Sequence, residues 1–326
     1  MDKDLFDYYD KLDDNEGMDS TLGFDAQRSH SPKGRLSRKL EAKEHAFIAA
    51  QDNARGTFSF TYKAARFEEW WLLESLNEFY EHQWISDVLR RVKGGKEASV
   101  YQCRAGTPVR ADLAAAKVYR PRSLRNLRND HLYREGRADL DDQGRRIVED
   151  GMLHAIQKKT EYGRNLLHQS WIAYEFTSMQ QLHAAGADVP EPYAMAANAI
   201  LMEFIGGSMA GAPALNEISL GRSQARTLFD RVLMNLDLLL RNQRIHGDLS
   251  AYNILYWEGR ITLIDFPQVI SPRTNQHAYR IFGRDVRRIC DYFKAQGIRS
   301  DPERLAEELW TSSGYERPRP PREEDI

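Results

Sequence analysis

His246-Gly247-Asp248-Leu249-Ser250-Ala251-Tyr252-Asn253-Ile254-Leu255, followed a short way downstream by Ile264-Asp265-Phe266, is the most informative part of the chain. It sets an acid, an amide and a second acid at the ends of short apolar segments. Phosphoryl transfer from ATP needs that set: a carboxylate beside the attacking hydroxyl, and an amide oxygen plus a carboxylate to hold magnesium on the phosphates. Asp248 fits the first role, and Asn253 and Asp265 fit the metal roles. The alternation in Ile261-Thr262-Leu263-Ile264 predicts a strand that delivers Asp265 to a cleft. Asp and Asn also populate turns, but three correctly typed groups at these spacings leave that reading little room.

The bulk numbers agree with a globular protein. The chain has 326 residues, 41% hydrophobic and 29% charged, with a formal net charge of −2. That length holds one large or two modest domains. Cys103 and Cys290 are its only cysteines, too few for a disulfide framework or a zinc site, and they predict a reducing compartment. No apolar run is long enough to span a bilayer, and the opening Met1-Asp2-Lys3-Asp4 lacks the regions of a signal peptide. A cytoplasmic protein without a membrane partner is expected.

Residues 1–57 read as a disordered charged tail. Asp2, Asp4, Asp7, Asp10, Asp13, Asp14 and Asp19 form an acidic block, and Arg28, Lys33, Arg35, Arg38 and Lys39 a basic one. Residues 58–84 read as a helical extension whose aromatic stripe, Trp70, Trp71, Phe79 and Tyr80, belongs to a core. Strands are expected over 86–92, 99–103 and 112–119, with a turn at Lys93-Gly94-Gly95-Lys96-Glu97. Residues 120–168 read as a flexible basic insert, rich in arginine with Tyr133 and Tyr162 interspersed, which offers a surface to RNA or an acidic protein. A helix through Trp171 and Phe176, a buried strand over 199–205, a helix over 222–242 and a helix over 283–294 follow. Asp301 as N-cap, Pro302 at the first helical position and Gly314 beyond the end frame a last helix. Residues 315–326 read as a mobile Pro/Arg-rich tail. Strands first and helices later predict an α+β fold of two lobes, an antiparallel N-lobe over 85–205 and a mainly helical C-lobe over 206–314.

The remaining parts of such a site have candidates. Gly94, Gly95 and Lys96, with Ser99 just beyond, form a turn that can approach phosphates closely because glycine interposes no side chain. Lys117 ends an alanine-rich strand, where a charge is costly unless paired or ligand-bound, and Glu175 on a helix is its natural partner. His246 is read as structural, holding the loop while Asp248 faces substrate. Asp285, at the opening of the helix after Asp265, is read as tying that loop down through its backbone amides.

These residues resemble the RIO atypical protein kinases over roughly residues 84–293. The matching pieces are Gly95 through Tyr101, Ala116-Lys117-Val118-Tyr119, Trp171 through Phe176, Val189 through Pro192, Leu201 through Gly206, His246 through Leu255 and Ile264-Asp265-Phe266-Pro267-Gln268. The glycine turn and basic stretch look like the first branch of the family, and Asp265-Phe266-Pro267-Gln268 like the second. The long winged-helix domain of that second branch is not evident before Trp84, and the pattern suits a prokaryotic member. The resemblance implies a trimmed protein-kinase-like fold without an extended activation loop. It implies ATP and magnesium, or manganese, as cofactors. Asp248 would be the proton acceptor, Lys117 would bind ATP, Asn253 and Asp265 would bind metal, and Glu203 and Ile205 would supply hinge contacts to adenine. Lys93 stands where the family has a small polar residue.

The expected activity is transfer to Ser/Thr hydroxyls of a protein substrate, including autophosphorylation. An alternative that the family raises is an ATPase switch, with an aspartyl-phosphate on Asp265, that binds a ribosomal or other ribonucleoprotein particle through 120–168. A small-molecule phosphotransferase also uses His-Gly-Asp with a downstream Asn and Asp, but Lys96-Glu97-Ala98, Pro267-Gln268 and the short segment after Asp265 argue against it. A pseudokinase is disfavoured, since Lys117, Glu175, Asp248, Asn253 and Asp265 are all present.

Overall fold

The structure, a computed structural model, describes residues 58–95, 97–120 and 135–316. Lys96, the charged N-terminal segment 1–57, the most basic part of the insert (121–134) and residues 317–326 lie outside the described residues. The chain runs through α1 (Arg66–Glu81), β1 (Ile85–Lys93), β2 (Ala98–Ala105), β3 (Leu113–Tyr119), α2 (Asp150–Gln157), α3 (Glu161–Ala184), β4 (Pro192–Ala196) and β5 (Ala199–Glu203). It continues with α4 (Arg222–Arg241), β6 (Ile254–Trp257), β7 (Arg260–Leu263), α5 (Ala278–Ala295) and α6 (Pro302–Ser312).

The first five strands form one antiparallel sheet in the order β1-β2-β3-β5-β4. Its two faces do different work because side chains alternate along a strand. Ala114, Ala116 and Val118 turn toward α1, where Leu72, Leu76 and Phe79 are buried against Val88, Tyr101 and Cys103. Burying each of those large side chains contributes about 1.5–3 kcal/mol. Ala115, Lys117 and Tyr119 lie on the other face, whose apolar members join α3 and the helical half in one continuous core. Lys117 therefore points between the two halves.

The helical half is organised by α4 and α5. Leu228, Phe229, Val232, Leu236, Leu239 and Leu240 make one buried stripe on α4, and Ile281, Phe282, Val286, Ile289 and Phe293 make the matching stripe on α5. The hairpin β6–β7 pairs Ile254 with Leu263. Asp188 steers it: its carbonyl accepts from Leu263 N at 2.7 Å, while its carboxylate is held by Asn235 and Arg231.

Two expectations need correction. The stretch 120–168 is not a flexible insert throughout. Helix α2 and the start of α3 occupy its second half, and Thr160 caps α3 by accepting from Gly163 N at 3.0 Å. Helix α2 fully buries none of its residues, and its short apolar stripe, Met152, Ala155 and Ile156, is only half-buried. Helix α5 starts before Gly283, which places Asp285 well inside it rather than at its opening.

Candidate active site

Lys117, from the middle sheet strand, meets two carboxylates. Its Nζ lies 2.6 Å from Glu175 Oε1 and 2.6 Å from Asp265 Oδ1. Glu175 is 1% exposed and comes from α3. Its second oxygen accepts from the Tyr119 hydroxyl at 2.7 Å, and Phe266 N donates to Oε1 at 3.3 Å. The sheet, the long helix and the segment after β7 are thus fastened at one buried point. Burial alone would lower the Lys117 pKa, but Asp265 and Glu175 outweigh it and hold the ammonium charged. Burial likewise opposes ionisation of Asp265, yet the Lys117 ammonium that contacts it, with a smaller contribution from Lys93, more than offsets it and keeps the carboxylate below its usual range. Asp265 adopts φ +72°, a left-handed conformation that is uncommon outside glycine. Its side chain is 45% exposed, so one carboxylate faces both Lys117 and the open cleft.

The loop from His246 to Asn253 is held from three sides. His246 Nε2 donates to Ile264 O at 3.0 Å, and Asp248 N donates to Nδ1 at 3.3 Å. Both ring nitrogens are used by a neutral imidazole, and burial pushes its pKa down. His246 therefore fixes the loop and is poorly placed to serve as a base. Gly247 N donates to Asp285 Oδ2 at 2.8 Å, and the Arg284 guanidinium donates to Gly247 O. Gly247 has φ +84°, and a Cβ there would lie 2.2 Å from Gln268 O, so only glycine fits. Asn253 Nδ2 donates to Asp248 O at 2.9 Å, which leaves Oδ1 as the end able to meet a cation.

The donor set suits a hard divalent ion. Among the described residues no cluster of His, Cys, Asp or Glu large enough to cage a metal exists. One carboxylate and one amide oxygen are what magnesium uses when phosphates and water complete its shell. Asn253 and Asp265 would hold it, and Lys117 would face the phosphates.

The structure brings together Lys117, Glu175 and Asp265, and it sets Asp248 and Asn253 on the adjoining loop. Gly94 and Gly95 form the β1–β2 turn, and a Cβ on Gly95 would lie 2.8 Å from Ala98 O. Ser99 is different. It pairs with Val118 rather than Lys117, so the pleat turns its side chain toward the α1 face and away from the cleft. Glu203 ends β5, with its N–H bonded to Glu191 O at 2.8 Å. Ile205 follows, its carbonyl taken by Ala212 N at 2.9 Å, so its N–H is the group it would offer to an adenine.

Two arginines escaped the sequence reading as site residues. Arg288, on α5, lies 2.6 Å from Asp248 Oδ1. Arg137 donates to Pro267 O at 3.1 Å and Val269 O at 2.6 Å, and its guanidinium sits 4.0 Å from the Tyr174 ring centroid. It clamps the segment after Asp265. The only advance signal was the neighbouring Arg284-Asp285 pair, one turn before Arg288.

Comparison with known proteins adds an independent line. A family model described as the RIO domain matches residues 114–305. A RIO-type serine/threonine-protein kinase Rio1 of Haloferax volcanii is 28% identical over 216 residues, covering 66% of this chain and 66% of that protein. The serine/threonine-protein kinase RIO1 of Chaetomium thermophilum is 27% identical, over 70% of this chain and 43% of its own length. The Rio1 kinase of Thermoplasma acidophilum is 26% identical, over 46% of this chain and 77% of that protein. The match to the first two thus leaves a third or more of each relative unaligned.

Proposed function

The chain belongs to the RIO-domain family, and from that premise we propose that it transfers the γ-phosphoryl group of ATP to Ser or Thr hydroxyls of a protein. The supporting observation is the Lys117–Glu175–Asp265 junction, two contacts of 2.6 Å that join sheet, helix and metal-site segment beside the Asp248 loop. When bound, ATP supplies the phosphoryl group, and a divalent ion, magnesium with manganese as an alternative, screens its charge. Glu175 and Tyr119 aim Lys117 at the phosphates. Asn253 and Asp265 hold the ion. Asp248 takes the proton from the acceptor hydroxyl as its oxygen bonds to phosphorus and the bond to the β-phosphate oxygen breaks. Orientation and charge complementarity do most of the work in such a site.

A second reading has one observation behind it. Arg288 occupies Asp248 while Asp265 remains ionised and open to the cleft, which suits an aspartyl-phosphate on Asp265 and an ATPase switch. A ribonucleoprotein partner along the basic stretch belongs to that reading. Within its described part, however, Arg137 and Arg145 are engaged internally. No helix among the described residues is long and apolar enough to cross a membrane, and the free, buried Cys103 and Cys290 suit a reducing, cytoplasmic setting. Stability of the protein-bound phosphate decides between the readings. Acid-stable phosphoserine or phosphothreonine supports the kinase. A hydroxylamine-labile phosphate mapped to Asp265 would replace it with the switch.

A further inference from the structure

Helix α5 carries Arg280, Arg284, Arg287 and Arg288 at spacings that place them along neighbouring strips of one side. Arg288 sits on Asp248, with the two side chains 42% and 41% exposed. Arg284 reaches the same loop through Gly247 O and also lines a cavity of about 450 Å³ between α5 and α6. Arg280 and Arg287 line it as well, and Glu303, paired to Arg287 at 2.6 Å, is its one acidic side chain. A strip of guanidinium groups thus runs from the cavity to the carboxylate that meets the acceptor.

We propose that this strip selects protein substrates whose acceptor hydroxyl is flanked by acidic residues, which exchange with Asp248 and Glu303 for the guanidinium groups. The proposal rests on the kinase reading. Arginine forks match carboxylates in two parallel hydrogen bonds, and a cavity of this size holds one or two side chains. RNA fits less well. Unpaired bases stack on aromatic rings or guanidinium planes; the aromatic residue lining the cavity, Tyr279, is packed edge-on against Trp310 at 5.2 Å, and Arg287 and Arg288 are already engaged by the carboxylates of Glu303 and Asp248. The chain itself contains a segment of the required chemistry: an acidic block that ends in Asp19-Ser20-Thr21.

The test uses a labelled synthetic peptide of residues 1–24 and a counterpart with Asn at Asp2, Asp4, Asp7, Asp10, Asp13, Asp14 and Asp19. Binding is read by fluorescence anisotropy on the full-length chain, with the same aspartates changed to Asn in the protein so that its own segment does not compete. An Arg280→Gln/Arg287→Gln variant, its fold checked by thermal melting, and a short single-stranded RNA complete the set. The acidic peptide is expected to bind roughly tenfold or more tightly than its Asn-substituted counterpart and to lose that margin in the double variant. Phosphate should enter at Ser20 or Thr21 with a lower KM than on the Asn-substituted peptide. Equal binding of the two peptides, or a margin that survives the double variant, overturns the proposal. So does RNA that binds more tightly than the acidic peptide through the same arginines. Equal transfer to both peptides sinks the proposal and leaves the kinase reading standing. Acid-selective binding without transfer to any hydroxyl sinks the kinase reading, and the substrate assignment with it.

Discussion

Replacing Glu175 by Gln removes one charge from the junction while keeping its shape. Glu175 is 1% exposed and Lys117 9% by side chain, and they meet at 2.6 Å. Breaking a buried pair by removing one partner costs about 3–5 kcal/mol, because the other charge is left desolvated. Lys117 keeps Asp265 at 2.6 Å, which places the loss near the lower bound, about 3 kcal/mol. The amide's single carbonyl oxygen can accept from Lys117 or Tyr119 but not fully from both. Lys117 should then follow Asp265 toward the cleft, and a displacement of that kind costs roughly a hundredfold in rate. Urea unfolding gives the first quantity, and kcat/KM for transfer from labelled ATP gives the second. Tyr119→Phe, which removes only the 2.7 Å hydrogen bond, should lose about 1–2 kcal/mol and less activity. A Glu175→Gln protein that unfolds within about 1 kcal/mol of the parent and turns over at the parent rate would refute this reasoning.

Three further outcomes are expected. Gly247→Ala should destabilise by several kcal/mol and abolish turnover, since φ +84° and a Cβ 2.2 Å from Gln268 O combine strain with a backbone clash; differential scanning calorimetry reads it. Arg137→Met should raise hydrogen exchange across residues 266–270, because the carbonyls of Pro267 and Val269 lose a charged donor and the Tyr174 face loses its stacking partner; unchanged exchange there would count against the clamp. Burial pushes the Asp285 carboxyl up to about 7 despite Arg284 and the Gly247 and Leu249 amides. Between its unfolded and folded pKa the native state holds the extra proton, so the Asp285 contribution is present below pH about 4 and is lost as pH rises through about 7. Relative to Asp285→Asn, the parent should therefore lose stability over that window; a flat difference from pH 5 to pH 8 would contradict the shift.

The parts of the site that sequence made legible are those set by local chemistry. His246 through Asp265 carries its own spacing, Lys117 stands out as a charge in an alanine-rich strand, and Asp301 caps α6 at 3.1 Å through Arg304 N. What stayed hidden depends on tertiary placement. Ser99 sits near the glycine turn in sequence, but strand register turns it to the opposite face. Helix α5 reads as starting at Gly283 because glycine looks like a boundary, whereas its first turns are held by Ala278, Ile281 and Phe282 in the core. Arg137 and Arg288 act through long side chains whose targets, 132 and 40 residues away, no spacing rule could supply.

The central claim is that Asp248 and Asp265 act on ATP together. Turnover of γ-labelled ATP, with the label traced to protein hydroxyls, by the parent and by Asp248→Ala and Asp265→Ala tests it most directly. Loss of labelled phosphoserine or phosphothreonine in both variants, with both still folded, is the predicted result. Undiminished transfer in either variant would contradict the account.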